Sequence, residues 1–171
     1  GLPAYARSMR LGDNDPVLSK LEVARQGSRL QIDGVTIEVL YAPELSADMA
    51  AGNEASNVYR VSYGRASFLL TGALTSANEH CLLQQGIHPE STVLKAGHHG
   101  SDTSSSEEFL QAVQPGFAVF CVGRDNRFGH PKATVLRRYQ EAGIKIFRTD
   151  EDGAVVFHTD GRKMQVETYT S

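Results

Sequence analysis

Apolar and polar residues alternate over Arg29–Ile32 and again over Val35–Tyr41, with Asp33-Gly34 between them. A period of two marks strands with one buried face, and Asp-Gly is a favoured two-residue hairpin turn. Val58–Tyr63 and Ala66–Leu70 repeat the pattern around Gly64-Arg65, with β-branched or aromatic residues at alternating positions. A weaker alternation at residues 21–24 predicts one more strand. Residues 45–54, rich in Ala, Gly and Asn, predict a loop.

After residue 70 the rhythm changes. Residues 76–85 predict a helix ended by Gly86, and 92–96 a strand. Residues 106–113 predict a short helix with Ser106 at its cap and Glu107 and Glu108 in its first turn, where acids oppose the helix dipole. An apolar strand follows at 117–122. A helix at 132–142 is opened by Pro131 and closed by Gly143. Lys145–Arg148, 154–158 and 164–168 complete the strands. Hairpins first and strand-helix alternation later indicate an α/β domain with a mixed β-sheet flanked by helices. No repeat or internal boundary divides residues 1–171, so a single domain is expected.

Composition excludes several classes. Hydrophobic residues are 40% of the 171, near the globular norm, which argues against disorder. The formal net charge of −3 gives no bulk basic field, so any nucleic-acid contact needs a local patch. No apolar run approaches the roughly 18 residues of a membrane span. There is no initiator Met and no signal-like start, and Gly1-Leu2-Pro3 reads as a cut or processed end. Cys81 and Cys121 lack metal-type spacing and are expected to be buried free thiols.

The chemistry gathers after two apolar strands. In Ser91-Thr-Val-Leu-Lys-Ala-Gly-His98-His99-Gly100-Ser101, a strand delivers two imidazoles into a Gly- and Ser-rich turn. Neutral imidazole is the commonest metal ligand, and the flanking glycines permit close backbone approach, so a metal or phosphate site is expected there. In Arg124-Asp-Asn126-Arg127-Phe-Gly-His130-Pro131, a strand end meets a helix start, a junction that favours anions. Arg124, Arg127 and Lys132 are candidates for phosphate contact.

These segments resemble the C-terminal part of the metallo-β-lactamase-like domain of the ComEC/Rec2 family of DNA-uptake competence proteins. The resemblance rests on Asn53, Ser56, Tyr63-Gly64, Phe68-Leu-Leu-Thr-Gly72, Leu94-Lys95-Ala-Gly-His98-His99-Gly-Ser101, Thr103-Ser-Ser105, Pro115, Asn126-Arg-Phe-Gly-His130-Pro131, Arg148-Thr-Asp150 and Gly153-Ala154, in order from about residue 34 to 161. It implies an αββα sandwich holding two divalent cations, Zn or Mn, and a metal-dependent nuclease acting on one strand of incoming DNA. It assigns catalysis to His98, His99 and His130. One of His98 and His99 would be a metal ligand and the other would face the substrate phosphate. Ser101, Asn126 and Arg127 would contact substrate, Ser101 also serving the turn. The implied setting is a soluble domain of a bacterial cytoplasmic-membrane protein, on the extracytoplasmic side, with single-stranded DNA and the remainder of the parent protein as partners.

Two departures shape the expected activity. The family's first His-x-His/Asp-x-Asp-His motif has no counterpart, the first histidine being His80, and Ala73 stands where the family has the Asp that bridges the cations. Two dications about 3.5–4 Å apart repel by roughly 20 kcal/mol at an effective dielectric of 20, so losing a bridging anion is serious. The chain alone is therefore expected to be inactive. A non-catalytic DNA- or protein-binding domain, or another hydrolase of this fold such as a phosphodiesterase or phosphorylcholine esterase, are the alternatives. Half a sandwich would also leave an apolar sheet face bare, which predicts self-association or a lobe supplied by another polypeptide.

Overall fold

The computed structural model describes residues 25–43 and 53–170. The strand expected at 21–24 and most of the 45–54 loop lie outside the described residues. Seven strands make one sheet in chain order: β1 (Arg29–Ile32), β2 (Val35–Tyr41), β3 (Val58–Tyr63), β4 (Ala66–Leu70), β5 (Val93–Lys95), β6 (Phe117–Phe120) and β7 (Lys145–Arg148). β1 to β4 are antiparallel and β4 to β7 parallel, the mixed sheet of an α/β fold. Both expected hairpins form. Asp33 and Gly34 take φ of 47° and 83°, the pair of left-handed residues that the natural twist of a tight hairpin requires.

The parallel half dictates where the helices go. α1 (Ser76–Gln84), α2 (Glu107–Val113) and α3 (Ala133–Glu141) each carry the chain from one parallel strand to the next. Right-handed crossovers stepping in one direction put every helix on the same face. Leu82, Phe109, Val113, Val135 and Tyr139 accordingly pack with Leu69, Leu94, Ala118 and Phe120 in one buried core. Ser106 caps α2 by accepting from the Phe109 N–H at 3.2 Å, as its sequence predicts.

Among the described residues, no helix covers the other face. Register aligns Leu30, Ile37, Val61, Phe68, Val93 and Phe117 across six strands. A two-stranded hairpin, β8 (Ala154–Thr159) with β9 (Met164–Tyr169), covers its parallel end. There Phe157 meets Phe68, Phe117 and Phe147 edge-on, with ring centroids 5.8, 5.8 and 6.1 Å away. The turn of this hairpin seats on the β3–β4 turn through an Arg65 N–H to Gly161 carbonyl bond of 2.6 Å. A Cβ at Gly64 would fall 2.3 Å from that carbonyl, which is why glycine stands there. Toward β1 the face is open: Leu30 and Ile32 are each 54% exposed and Leu70 41%. No helix among the described residues is long and apolar enough to cross a membrane.

Three sequence expectations need correction. Strands β5 and β6 are shorter than predicted, because the chain turns at Ala96 and Cys121 to form the site. A one-turn helix, α4 (Thr149–Asp152), follows β7; the Asp152 carboxylate accepts from the Arg148 N–H at 2.7 Å. One turn is too brief to show a helical period. Cys81 and Cys121 are free but exposed rather than buried, Cys81 on α1 and Cys121 one residue past β6.

Candidate phosphate-binding site at the histidine turn

Parallel strands end on one edge of a sheet, so the loops after β4, β5 and β6 converge. The first carries Thr71-Gly72-Ala73, the second Gly97-His98-His99-Gly100, the third residues 121–132. Backbone bonds stitch them together, His98 N–H to Gly72 O at 3.1 Å and Lys132 N–H to Gly100 O at 2.9 Å, while Leu74 N–H to Thr71 O at 3.0 Å closes the first loop on itself. The Thr71 hydroxyl donates to Lys95 O at 2.9 Å.

The histidine turn is bent at the histidines themselves. His98 and His99 have φ of 45° and 57°, the left-handed region that disfavours any residue with a Cβ. Gly97, expected to supply the permissive backbone, is not in that region; it is glycine because a Cβ would sit 3.2 Å from Leu74 O. Strain of this kind persists only where surroundings over-determine it. They do so here. Buried Glu79 of α1 accepts the Ser105 and Ser106 N–H groups at 2.6 and 2.8 Å. Arg138 of α3 donates to Ser104 O and Ser105 O at 3.1 and 3.0 Å. The Ser104 hydroxyl reaches Gly97 O at 2.9 Å, and Tyr139 shares a 2.9 Å bond with Ser105. Burial pushes the Glu79 carboxyl above its ordinary range, against the opposing pull of the Ser106 and Ser105 bonds and the Arg138 charge. Burial likewise pushes the Tyr139 phenol up, so it stays neutral. Removing that hydroxyl in Tyr139→Phe is expected to cost about 1 kcal/mol, read as a lowered urea midpoint; an unchanged midpoint would mean the bond contributes nothing.

The two rings are set differently. His99 is exposed, with Nδ1 2.6 Å from Cys121 O. A carbonyl only accepts, so Nδ1 carries the proton and Nε2 presents its lone pair outward, the orientation by which a backbone carbonyl readies an imidazole for a metal or an acidic proton. His98 lies between the Asn53 amide, 3.4 Å from Nε2, and the Thr103 hydroxyl, 3.5 Å from Nδ1, both long contacts. His130 is tilted against His98 with centroids 6.0 Å apart. Its Nδ1 is buried without a partner among the described residues. Burial, then the charge of Lys132 and the neighbouring His98 and His99, hold its pKa below the usual histidine value.

The other predicted residues take these places. Ser101 is buried, and its hydroxyl turns to Asp102 and Thr103 inside the turn. The Asn126 amide is engaged in holding its own loop. It donates to Gly123 O at 3.0 Å and His130 O at 2.8 Å and accepts from His130 N–H at 2.8 Å. Arg127 lies over Phe128, 5.1 Å from the ring centroid. Ala73 is half-buried, its N–H donating to Ser56 Oγ at 3.1 Å. Sequence reasoning missed Lys95, whose Nζ donates to Gly72 O at 3.3 Å and Ala96 O at 3.0 Å beside Ala73. Burial lowers its pKa, while Cys121 acts in the opposite direction.

No protein-family model matches the chain. Over 142 residues, 83% of its length, it is 36% identical to ComE operon protein 3 of Bacillus subtilis. Over 130 residues, 75% of its length, it is 43% identical to Competence protein ComA of Neisseria gonorrhoeae. Over 105 residues it is 35% identical to Recombination protein 2 of Haemophilus influenzae. The chain belongs to the ComEC/Rec2 family of competence proteins. It spans about 18% of the length of the first two relatives and 13% of the third.

The donor set of this ComEC/Rec2 segment bears on the two-cation centre that the resemblance implies. Among the described residues no three His, Cys, Asp or Glu side chains stand close enough to hold a metal ion. Beside the histidine turn, Ala73 offers only a methyl where the resemblance implies a bridging carboxylate, and the Lys95 ammonium is bonded to the carbonyl of the preceding Gly72. A cation and a methyl oppose a pair of dications and suit an anion. The described residues do not fit a two-metal centre.

Proposed function

We propose that this chain is part of a metallo-β-lactamase-like domain of a DNA-uptake protein, and that its histidine turn binds the phosphodiester backbone of single-stranded DNA without hydrolysing it. The observation that carries the reading is the Lys95 ammonium beside Ala73 at the histidine turn, a place that suits an anion and that, among the described residues, lacks the ligands of a metal centre. His98 and His130 stand together at the turn, and Arg124, Arg127 and Lys132 lie on the loop after β6, with Asp102 and Asp125 as the opposing charges on the two loops.

The sandwich part of the proposal draws support from the apolar face that no helix among the described residues covers. That face suits a second sheet from the remainder of the parent chain, given that the relatives are more than five times the length matched here. A bare face in the structure of the longer parent would rule the sandwich out. The same context suggests a membrane protein, with this domain on the extracytoplasmic side.

Binding without turnover is expected. With manganese or zinc and a labelled single strand, the chain should shift the strand in an anisotropy titration and leave it intact on a gel. Phosphate contacts displace counterions, so log K should fall with log salt with a slope of about −0.7 per contact on a single strand. Cleavage would overturn the non-hydrolytic reading. Binding indifferent to salt, or none, would overturn the phosphate-binding reading and favour a protein partner.

A further inference from the structure

The loop after β6 holds a large apolar ring out of the molecule. Phe128 is 61% exposed. A single exposed phenylalanine is ordinary on a protein surface; what surrounds this one is not. The backbone beneath it is pinned at both ends by the three Asn126 amide bonds and by Gly129 N–H to Asn126 O at 3.2 Å. Lys132 Nζ donates to Phe128 O at 2.8 Å. The ring is therefore displayed on a fixed loop, with little ordering left to do on binding. It also continues into the site: His130 lies near-parallel to it, at 15° with centroids 5.9 Å apart, and His98 is the next ring, 6.0 Å beyond. Arg127 supplies a guanidinium over the same ring on a flexible, exposed stem that can leave it for a phosphate.

The geometry points to Phe128 as a stacking platform for a base of single-stranded DNA whose backbone lies along the His98–His99 turn. This deepens the phosphate-binding reading and rests on it. Every base has a π-face, so an exposed ring beside a cationic track binds single strands with little sequence preference, and base pairing in a duplex would hide the faces it needs. At about 3.4 Å per stacked nucleotide, the two ring-to-ring steps from Phe128 to His98 span a few nucleotides. A strand anchored by its phosphates at the turn thus brings a neighbouring base onto the ring.

The test compares two probes on the 171-residue chain: labelled oligo(dT), and an abasic deoxyribose-phosphate oligomer of the same length. Phe128→Ala is expected to weaken oligo(dT) binding by about 5- to 150-fold, the worth of one stacked base, and to leave the abasic oligomer's affinity unchanged. Phe128→Trp should keep the wild-type affinity. The chain contains no tryptophan, so the new indole is a unique reporter whose fluorescence a stacked base quenches. Equal oligo(dT) affinity in wild type and Phe128→Ala, or an unquenched indole in the bound complex, would overturn the platform while phosphate binding stands. Failure of the wild type to bind either probe would overturn the phosphate-binding reading, and the platform with it.

Discussion

Gly100→Ala is expected to lose about 2–5 kcal/mol of stability, the sum of left-handed strain and overpacking, and to disturb the histidine turn. Gly100 has φ of 84°, and a Cβ there would lie 2.6 Å from Pro131 Cβ and 2.8 Å from two ring atoms of Phe120. Neither neighbour can yield readily. Phe120 is fully buried in the core, stacked edge-on to Tyr139 at 5.0 Å. Pro131 is buried and followed by Lys132, whose N–H is bonded to Gly100 O. Relief must therefore come from moving the turn away from the residue 121–132 loop, which also breaks the His99 to Cys121 contact. Urea unfolding checks the stability and histidine side-chain NMR checks the ring. A variant with wild-type stability and an unmoved His99 resonance would show that the loops are not packed as described.

Glu79→Ala is expected to cost about 3–5 kcal/mol, because it leaves the Ser105 and Ser106 N–H groups buried without acceptors. Glu79→Gln should cost less, since one amide oxygen can still accept. The pH response separates the two roles of the carboxyl. Its folded-state pKa is raised by burial, so between the ordinary carboxyl value and the raised one the native state binds more protons than the unfolded state. Stability from this group is then greatest at low pH and falls as pH rises through the folded-state value. Glu79→Gln should remove that falling slope, while Asp160, held low by the Lys163 and Arg162 N–H bonds, keeps the opposite one. An unchanged pH–stability profile in Glu79→Gln would show that the carboxyl is not protonated preferentially in the fold.

Much of this fold is legible in the sequence because local chemistry and tertiary packing agree. Asp33-Gly34 forms a hairpin by its own backbone preference, Ser106 caps a helix within three residues, and the strand-helix alternation after residue 70 forces a parallel half. The histidine turn is legible because strand, glycine and imidazole are contiguous. What escaped reading depends on distance. Glu79 looks like any acid on a helix until Ser105 and Ser106, 26 and 27 residues on, bring their N–H groups to it. Lys95 alternates correctly for a strand and shows nothing of its position beside Ala73. The left-handed φ of His98 and His99 contradicts the glycine rule, and only the clamp of Glu79, Ser104 and Arg138 makes it tenable.

Strand order in the large sheet follows chain order without exception. A sheet of that kind grows at one edge as the polypeptide leaves the ribosome, each new strand finding its neighbour already in place and closing a short loop rather than a long one. The imidazole pair emerges after the fifth of the seven strands but is set only when α3 arrives with Arg138 and Tyr139, more than thirty residues later. The proposed binding geometry is thus completed late in synthesis, and a nascent chain stalled before α3 would display the motif without the clamp that shapes it.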